Sequence, residues 1–332
     1  MINPSQKLNP NLFDKKVEQV PIRQGFGEGL LEAGEKNPQV VGLCADLTES
    51  TKMHLFANKF PERFVQIGIA EQNLASVASG MSAMGKIPFI SSYAMFSPGR
   101  NWEQIRTTIC YNDRPVVIAG SHAGISVGPD GGTHQAVEDL AITRVIPNMI
   151  VFSPCDSIEA KKITLASAEL GKPAYIRLAR EKTPVITTLE SPFKVGKAQL
   201  FYGDEKGKAD VGIVATGALV YKTLKVAETL KGEGISVKVL NISTIKPLDN
   251  EAVINMAKTC GAIVSVEEHQ IIGGLGSAVA ECLSQNFPVP QEFIGVKDLF
   301  GQSGKQDELL EHYEMGEGHI LQACKKVIGR KA

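Results

Sequence analysis

Gly68-Ile69-Ala70-Glu71-Gln72-Asn73 joins an apolar run, Phe64 to Ile69, to a stretch from Leu74 to Met84 that carries Ala, Ser, Gly and Met at helical spacing. The first reads as a short strand and the second as a helix, so Glu71 is predicted in the first helical turn. A strand-to-helix corner of this kind lies at the carboxyl edge of a parallel sheet, where α/β proteins hold ligands. Taken alone, an acid in a first turn complements the helix dipole and contributes about a few tenths of a kcal/mol. The rest of the chain decides whether Glu71 does more.

Outward from that corner, strands and helices alternate. Helices are predicted over Ile22 to Lys36, Glu71 to Met84, Trp102 to Tyr111, Gln135 to Val145 and Ser157 to Leu170. Strands are predicted at Val40 to Leu43, Ile87 to Ser91, Pro115 to Gly120, Met149 to Ser153 and Ala174 to Leu178. Such alternation calls for a parallel sheet with helices on both faces. Between about Glu181 and Lys208 the periodicity gives way to Pro184, Pro192, Gly203 and several charges, the composition of a linker. A second alternation follows, with strands at Val211 to Ala215, Val237 to Leu240, Ala262 to Val266 and Phe293 to Val296. Its helices fall at Val220 to Lys231, Asn250 to Lys258, Gly276 to Ser284 and over most of Gln306 to Ile328. The predicted organisation is an amino-terminal arm over residues 1–19, one α/β domain over 20–190 and a second over 191–332.

The 332 residues are 43% hydrophobic and 21% charged, values of an ordinary globular chain. A formal net charge of -1 gives no general attraction to nucleic acid or to an acidic membrane, so any anion site must be local. No run of eighteen apolar residues occurs, and the first residues, with Asn3, Pro4, Lys7, Asn9 and Pro10, lack the apolar core of a signal peptide. The expectation is a cytoplasmic protein. Its six cysteines form no Cys-x-x-Cys pair and read as reduced core residues.

Two further stretches carry chemistry. Ser91-Ser92-Tyr93-Ala94-Met95-Phe96 follows a predicted strand and sets two aromatics three residues apart, a wall on which a flat ring can stack. Gly120-Ser121-His122-Ala123-Gly124-Ile125-Ser126-Val127-Gly128-Pro129-Asp130-Gly131-Gly132-Thr133-His134-Gln135 brings two imidazoles and a carboxylate into one glycine-rich loop. Glycines let backbone approach a ligand closely, and imidazole donates or accepts near neutral pH.

With the Gly-Ile-Ala-Glu-Gln run, these stretches resemble the transketolases, enzymes that use thiamine diphosphate, over nearly the whole chain from about Pro21. The resemblance implies an α/β fold with two parallel or mostly parallel sheet domains, the pyrimidine-binding domain and the transketolase carboxyl-terminal domain. It implies that Glu71 hydrogen-bonds a ring nitrogen of the aminopyrimidine and shares a proton with it, which activates the thiazolium carbon. Tyr93 and Phe96 stand in the family's Thr-Phe-x-x-Phe pattern, and Trp102 is the candidate for a third aromatic. Asp130 is implied to hold a sugar hydroxyl, His134 to meet the reacting end of the substrate, and His122 to bind the donor's oxygens or phosphate. Arg23 and Arg180 match two phosphate arginines, whose planar fork suits phosphate. Ser50 matches a hydroxyl contact, and Asp46 a position at the subunit interface beside the cofactor. Glu267-Glu268-His269, Gly273-Gly274-Leu275-Gly276 and the stretch from Gly295 to Gly304 also match the family and receive no catalytic role.

Family members hold the diphosphate and Mg²⁺ through a Gly-Asp-Gly motif followed by an Asn, in a preceding domain. This sequence has no such pair. The implied arrangement is a split transketolase: this chain carries no metal ligand and is the carboxyl-terminal subunit, completed by an amino-terminal subunit, with self-association into a heterotetramer. The implied substrates are sugar phosphates, with a two-carbon ketol unit passing from a ketose to an aldose. A second reading keeps the cofactor and changes the substrate, as in deoxyxylulose-phosphate synthase or the β chain of a 2-oxo acid dehydrogenase. His122 stands where the synthase has Arg, and the Gly-Pro-Asp-Gly-Gly-Thr-His run is unlike the dehydrogenase chains, whereas Arg177 fits the synthase's Ile-Arg-x-x-Arg. A third reading is a non-catalytic assembly subunit that keeps the fold.

Overall fold

Val40–Cys44 and Val117–Ser121 are buried at every position, so the sheet that holds them needs cover on both faces. The computed structural model describes residues 1–331 and supplies that cover. In chain order the first half runs β1 (Gln19–Pro21), α1 (Ile22–Lys36), β2 (Val40–Cys44), α2 (His54–Lys59), β3 (Phe64–Gln66), α3 (Glu71–Ala83) and β4 (Ile87–Tyr93). It continues with α4 (Trp102–Gln104), β5 (Val117–Ser121), α5 (Asp139–Arg144), β6 (Ile150–Phe152), α6 (Ser157–Ser167), β7 (Ala174–Arg177) and β8 (Lys182–Pro184). The second half runs β9 (Gln199–Tyr202), β10 (Val211–Ala215), α7 (Val220–Gly232), β11 (Val237–Asn241), β12 (Thr244–Lys246), α8 (Asn250–Cys260) and β13 (Ile263–Gln270). It closes with α9 (Leu275–Asn286), β14 (Gln291–Val296), α10 (Gln306–His312) and α11 (Glu317–Ile328).

A seven-stranded sheet of order β12-β6-β7-β5-β4-β2-β3 and a five-stranded sheet of order β14-β13-β10-β11-β9 form the centres of two lobes. Pairing is parallel except at β12 and β9, each antiparallel to its neighbour, and in the small β1–β8 ladder. The fold is thus α/β with mostly parallel sheets. On one face of the first sheet α1 and α6 pack so closely that a Cβ on Gly25 would fall 1.7 Å from the Ser157 carbonyl oxygen. The opposite face, with Leu43, Ile90 and Ile118, shares one continuous core with Leu74 and Ala78 of α3, Val253 of α8 and Val279 of α9.

Several elements differ from expectation. The strand before Glu71 ends at Gln66 because Gly68 turns the chain with φ +85. The helix from Trp102 widens into a π-helix over Ile105–Cys110. α5 starts only at Asp139, since the Gln135 side chain is tied to loop carbonyls. The stretch expected as a linker contributes β8 and β9, and α2 and β12 were not anticipated. β12 lies among residues of the second half yet pairs with β6 of the first sheet. The amino-terminal arm is bound to the second lobe: the Asn3 N–H donates to the Phe201 carbonyl at 2.9 Å, and Leu8 and Leu12 join that lobe's core. All six cysteines are buried free thiols, and burial pushes Cys110 and Cys324 up to about 12. Among the described residues no helix is long and apolar enough to cross a membrane.

Candidate active site

The carboxyl ends of β4 and β5, the start of α3 and the loop after β5 converge at one edge of the seven-stranded sheet. Glu71, first residue of α3, is 1% exposed. Its carboxylate accepts from Arg100 Nη1 at 2.6 Å and from Ser92 Oγ at 3.4 Å, while its backbone carbonyl accepts from Asn101 Nδ2 at 2.9 Å. The Arg100 side chain is 48% exposed and lies over the Phe96 ring, 5.0 Å from its centroid. The buried acid therefore rests against a partner that can swing out into solvent.

Beside it Tyr93 and Phe96 lie near-parallel, centroids 6.2 Å apart at 15°. His122 stacks on Tyr93 at 3.8 Å, and His134 stands edge-on to Phe96 at 5.5 Å. Trp102 is not part of this group. Its indole N–H donates to the Ile142 carbonyl at 2.7 Å and its ring packs against the hydrophobic core.

His122 has a left-handed backbone, φ 57, which turns its ring back over the sheet edge. Nε2 faces Arg23 Nη1 at 3.2 Å, and Nδ1 faces Ser121 Oγ at 2.9 Å. Since a guanidinium only donates, Nε2 is the acceptor and the proton sits on Nδ1. Burial and the positive charges of Arg23 and Arg180, with a contribution from His134, push His122 down to about 3, so the ring is neutral. Arg23 Nη1 also donates to the Ser50 carbonyl at 2.5 Å, and its Nε is buried without a partner. Ser50 thus engages Arg23 through its backbone. Arg180 Nη1 donates to the Val127 carbonyl at 2.5 Å and lies 3.9 Å from Asp130 Oδ1. Two guanidiniums beside a neutral imidazole, one with a spare buried donor, offer an anion local positive charge and a hydrogen bond in a chain of nearly zero net charge.

Asp46 stands apart from these groups, exposed with φ 61 at the end of β2. Its backbone N–H donates to Gln66 Oε1 at 2.8 Å, and Gln66 also reaches the Gly68 N–H, linking Asp46 to the turn before Glu71. Arg177 is buried in an ion pair with Asp139 at 3.0 Å. His269 is fully buried, Nε2 accepting the Ala141 N–H at 3.3 Å. Arg100 was missed by sequence reasoning; a lone Arg in the turn before Trp102 gives no periodic signal.

The signatures described as transketolase, pyrimidine binding domain, and transketolase, C-terminal domain, match residues 18–185 and 204–320. The chain belongs to the transketolase family. It is 43% identical over 92% of its length to a Methanocaldococcus jannaschii protein provisionally described as a transketolase C-terminal section, covering 96% of that protein. It is 39% identical to a 6-deoxy-6-sulfo-D-fructose transketolase subunit of Clostridium sp. strain MSTE9, over 96% of this chain and 98% of the relative. Among solved structures, a split-gene transketolase described as an inactive beta4 tetramer superimposes with a TM-score of 0.87 at 44% identity, over 94% of this chain and all of that one. The match of this chain to transketolase is thus to its carboxyl-terminal section.

The residues present suit the pyrimidine end of thiamine diphosphate. A buried carboxylate with one displaceable partner, beside a pair of parallel aromatic rings, offers a hydrogen-bonding acid and a stacking wall to a flat nitrogen heterocycle. Among the described residues no group of three or more His, Cys, Asp or Glu could hold a metal ion.

Proposed function

We propose that this chain is the carboxyl-terminal subunit of a two-chain transketolase, moving a two-carbon ketol unit from a ketose phosphate to an aldose phosphate. The observation that carries the reading is the burial of Glu71 at the start of α3, within one cluster with Tyr93, Phe96, His122, His134 and Arg23. Bound thiamine diphosphate supplies the carbon nucleophile that takes up the two-carbon unit. Glu71 would hold a proton at a pyrimidine ring nitrogen, and Tyr93 and Phe96 would provide the apolar wall. Trp102 has no part in that wall.

His134, edge-on to Phe96, stands where the reacting end of the sugar would come and can move a proton there. Asp130 would accept from a sugar hydroxyl. Arg23, Arg180 and the neutral His122 would hold the phosphate, and the unpartnered Arg23 Nε is the donor still free for it. Ser50 orients Arg23, and Asp46 borders the turn before Glu71, where a second subunit would meet the cofactor.

Mg²⁺ and the diphosphate are assigned to an amino-terminal partner subunit. Support comes from the relatives, one named a subunit and one solved as an inactive tetramer of its own chain. A heterotetramer of two copies of each chain, in the cytoplasm where sugar phosphates are handled, is the assembly we infer. The test is coexpression with an amino-terminal subunit and an assay of xylulose phosphate plus ribose phosphate, with and without thiamine diphosphate and Mg²⁺. Turnover should need the partner and both additions, and Glu71→Ala should remove it; turnover that survives Glu71→Ala sinks the cofactor role.

A further inference from the structure

Two motifs of the second lobe, Glu267-Glu268-His269 and Gly301-Gln302-Ser303-Gly304, lie outside the cluster around Glu71, yet both touch the loop that carries Asp130 and His134. That loop is unusually free by sequence: His122, Gly124, Gly128 and Gly131 all have positive φ. A segment so rich in glycine keeps two side chains in place only if something outside it holds the backbone.

The second lobe does so at three levels. Glu268, 3% exposed near the end of β13, accepts the Ser126 N–H through Oε1 at 2.6 Å. A Cβ on Gly124 would fall 2.4 Å from the same oxygen, so the carboxylate lies flat on the loop backbone. Next, two glycine-rich backbones touch: Cβ atoms on Gly132 and Gly131 would fall 2.5 Å from the Gly301 carbonyl oxygen and 2.7 Å from Ser303 Oγ. Finally, Gln135 Nε2 donates at 2.9 Å both to the Ile125 carbonyl at one end of the loop and to the Gln302 carbonyl across the lobe boundary. Arg177 anchors the assembly from below, donating to the Glu268 and Ala136 carbonyls at 2.8 and 3.3 Å.

We propose that Glu268 is a positioning residue for the substrate: its buried carboxylate, acting through the Ser126 N–H and backed by the Gln135 tie, fixes where Asp130 and His134 meet the sugar. The proposal rests on the ketol-transfer reading above and gives the second lobe a task in it. The Ser126 N–H is buried and has this carboxyl oxygen as its acceptor, and an unpaired buried N–H left behind is costly. The loop therefore shifts when the carboxylate is removed.

The experiment uses the chain assembled with its amino-terminal partner. Glu268→Ala should raise KM for the ketose phosphate about tenfold or more, the size expected when a buried N–H loses its acceptor. Affinity for thiamine diphosphate should stay at the wild-type level, and Glu268→Gln, which keeps an oxygen for Ser126, should restore most of KM. Hydrogen–deuterium exchange should rise in peptides over residues 122–136 and stay constant over 64–84. An unchanged KM, unchanged exchange in the loop, or a loss of cofactor affinity in step with KM overturns the proposal. Should Glu268→Ala fail to assemble, Gln135→Met, which removes the tie to Gln302 at similar volume, is read by the same criteria. If the wild-type assembly shows no ketol transfer, the functional reading fails, while loop exchange still decides whether Glu268 holds the loop.

Discussion

Because burial and the facing guanidiniums of Arg23 and Arg180 push His122 down to about 3, the folded protein resists a proton that the unfolded chain takes up near 6.5. Between those values the unfolded state binds more protons, so stability falls as pH falls through the window. Urea unfolding should therefore show the wild type losing more stability from pH 7 to pH 5 than His122→Gln does; equal losses would remove His122 from the account. Arg23 meets Ser50 and His122 through Nη1 and keeps Nε spare, three directions that a lysine ammonium on a flexible stem does not reproduce. Arg23→Lys should raise KM for the ketose phosphate about tenfold to a hundredfold, as for lost hydrogen bonds to a charged group, with kcat little changed. A loss confined to kcat in steady-state assays would place Arg23 at the reacting end instead.

α6 shows how one element ties the two lobes. Asp156 caps it by accepting the Glu159 N–H at 2.8 Å, and Glu159 reaches the second sheet through Asn241 Nδ2 at 2.8 Å. Burial and the nearby Asp156 charge raise Glu159 from the ordinary 4.5 of a glutamate to about 7. The folded state thus binds more protons across that window, and stability falls as pH rises through it, with the loss complete above about 7. Glu159→Gln should flatten the change in unfolding free energy between pH 5 and pH 8, and a slope equal to wild type would show that Glu159 does not titrate there. Such elements were legible in unequal measure. α1 is found over Ile22–Lys36 as its sequence predicts, because its small and apolar residues recur at helical spacing and Asn37 ends the pattern. α2, six residues long, and β12, three residues long, are below the length at which periodicity has a signal. The acid at residue 71 and the His-Asp loop stood out by their resemblance to the family's motifs, whereas Arg100, Gln135 and Glu268 act through contacts between distant segments, which spacing does not encode. The place of Trp102 was hidden for the same reason: its partner Ile142 lies forty positions away.

At the scale of the whole molecule, the two sheets do not own separate cores. Val41, Ile90 and Ile118 of the first sheet share one cluster with Val214 and Ile263 of the second, and Ile125 of the glycine-rich loop and Val137 beyond it belong to the core of the second lobe. Backbone pairing crosses as well: β12 extends the first sheet, and the arm reaches the second through the bridge between Ile2 and Tyr202. Opening either lobe alone would strip apolar surface from the other and leave β6 without its edge partner, at a cost comparable to a substantial part of global stability. The two lobes should therefore unfold as one cooperative unit. In differential scanning calorimetry the chain should give a single transition whose van't Hoff and calorimetric enthalpies agree. A segment spanning residues 191–332 expressed alone should be insoluble, since it exposes apolar residues of the second lobe, such as Leu275 and Val279, that share one core with the first lobe. Two resolved transitions, with a soluble carboxyl-terminal segment, would show that the shared cluster contributes little and that the lobes are independent folding units joined at the β8–β9 connection.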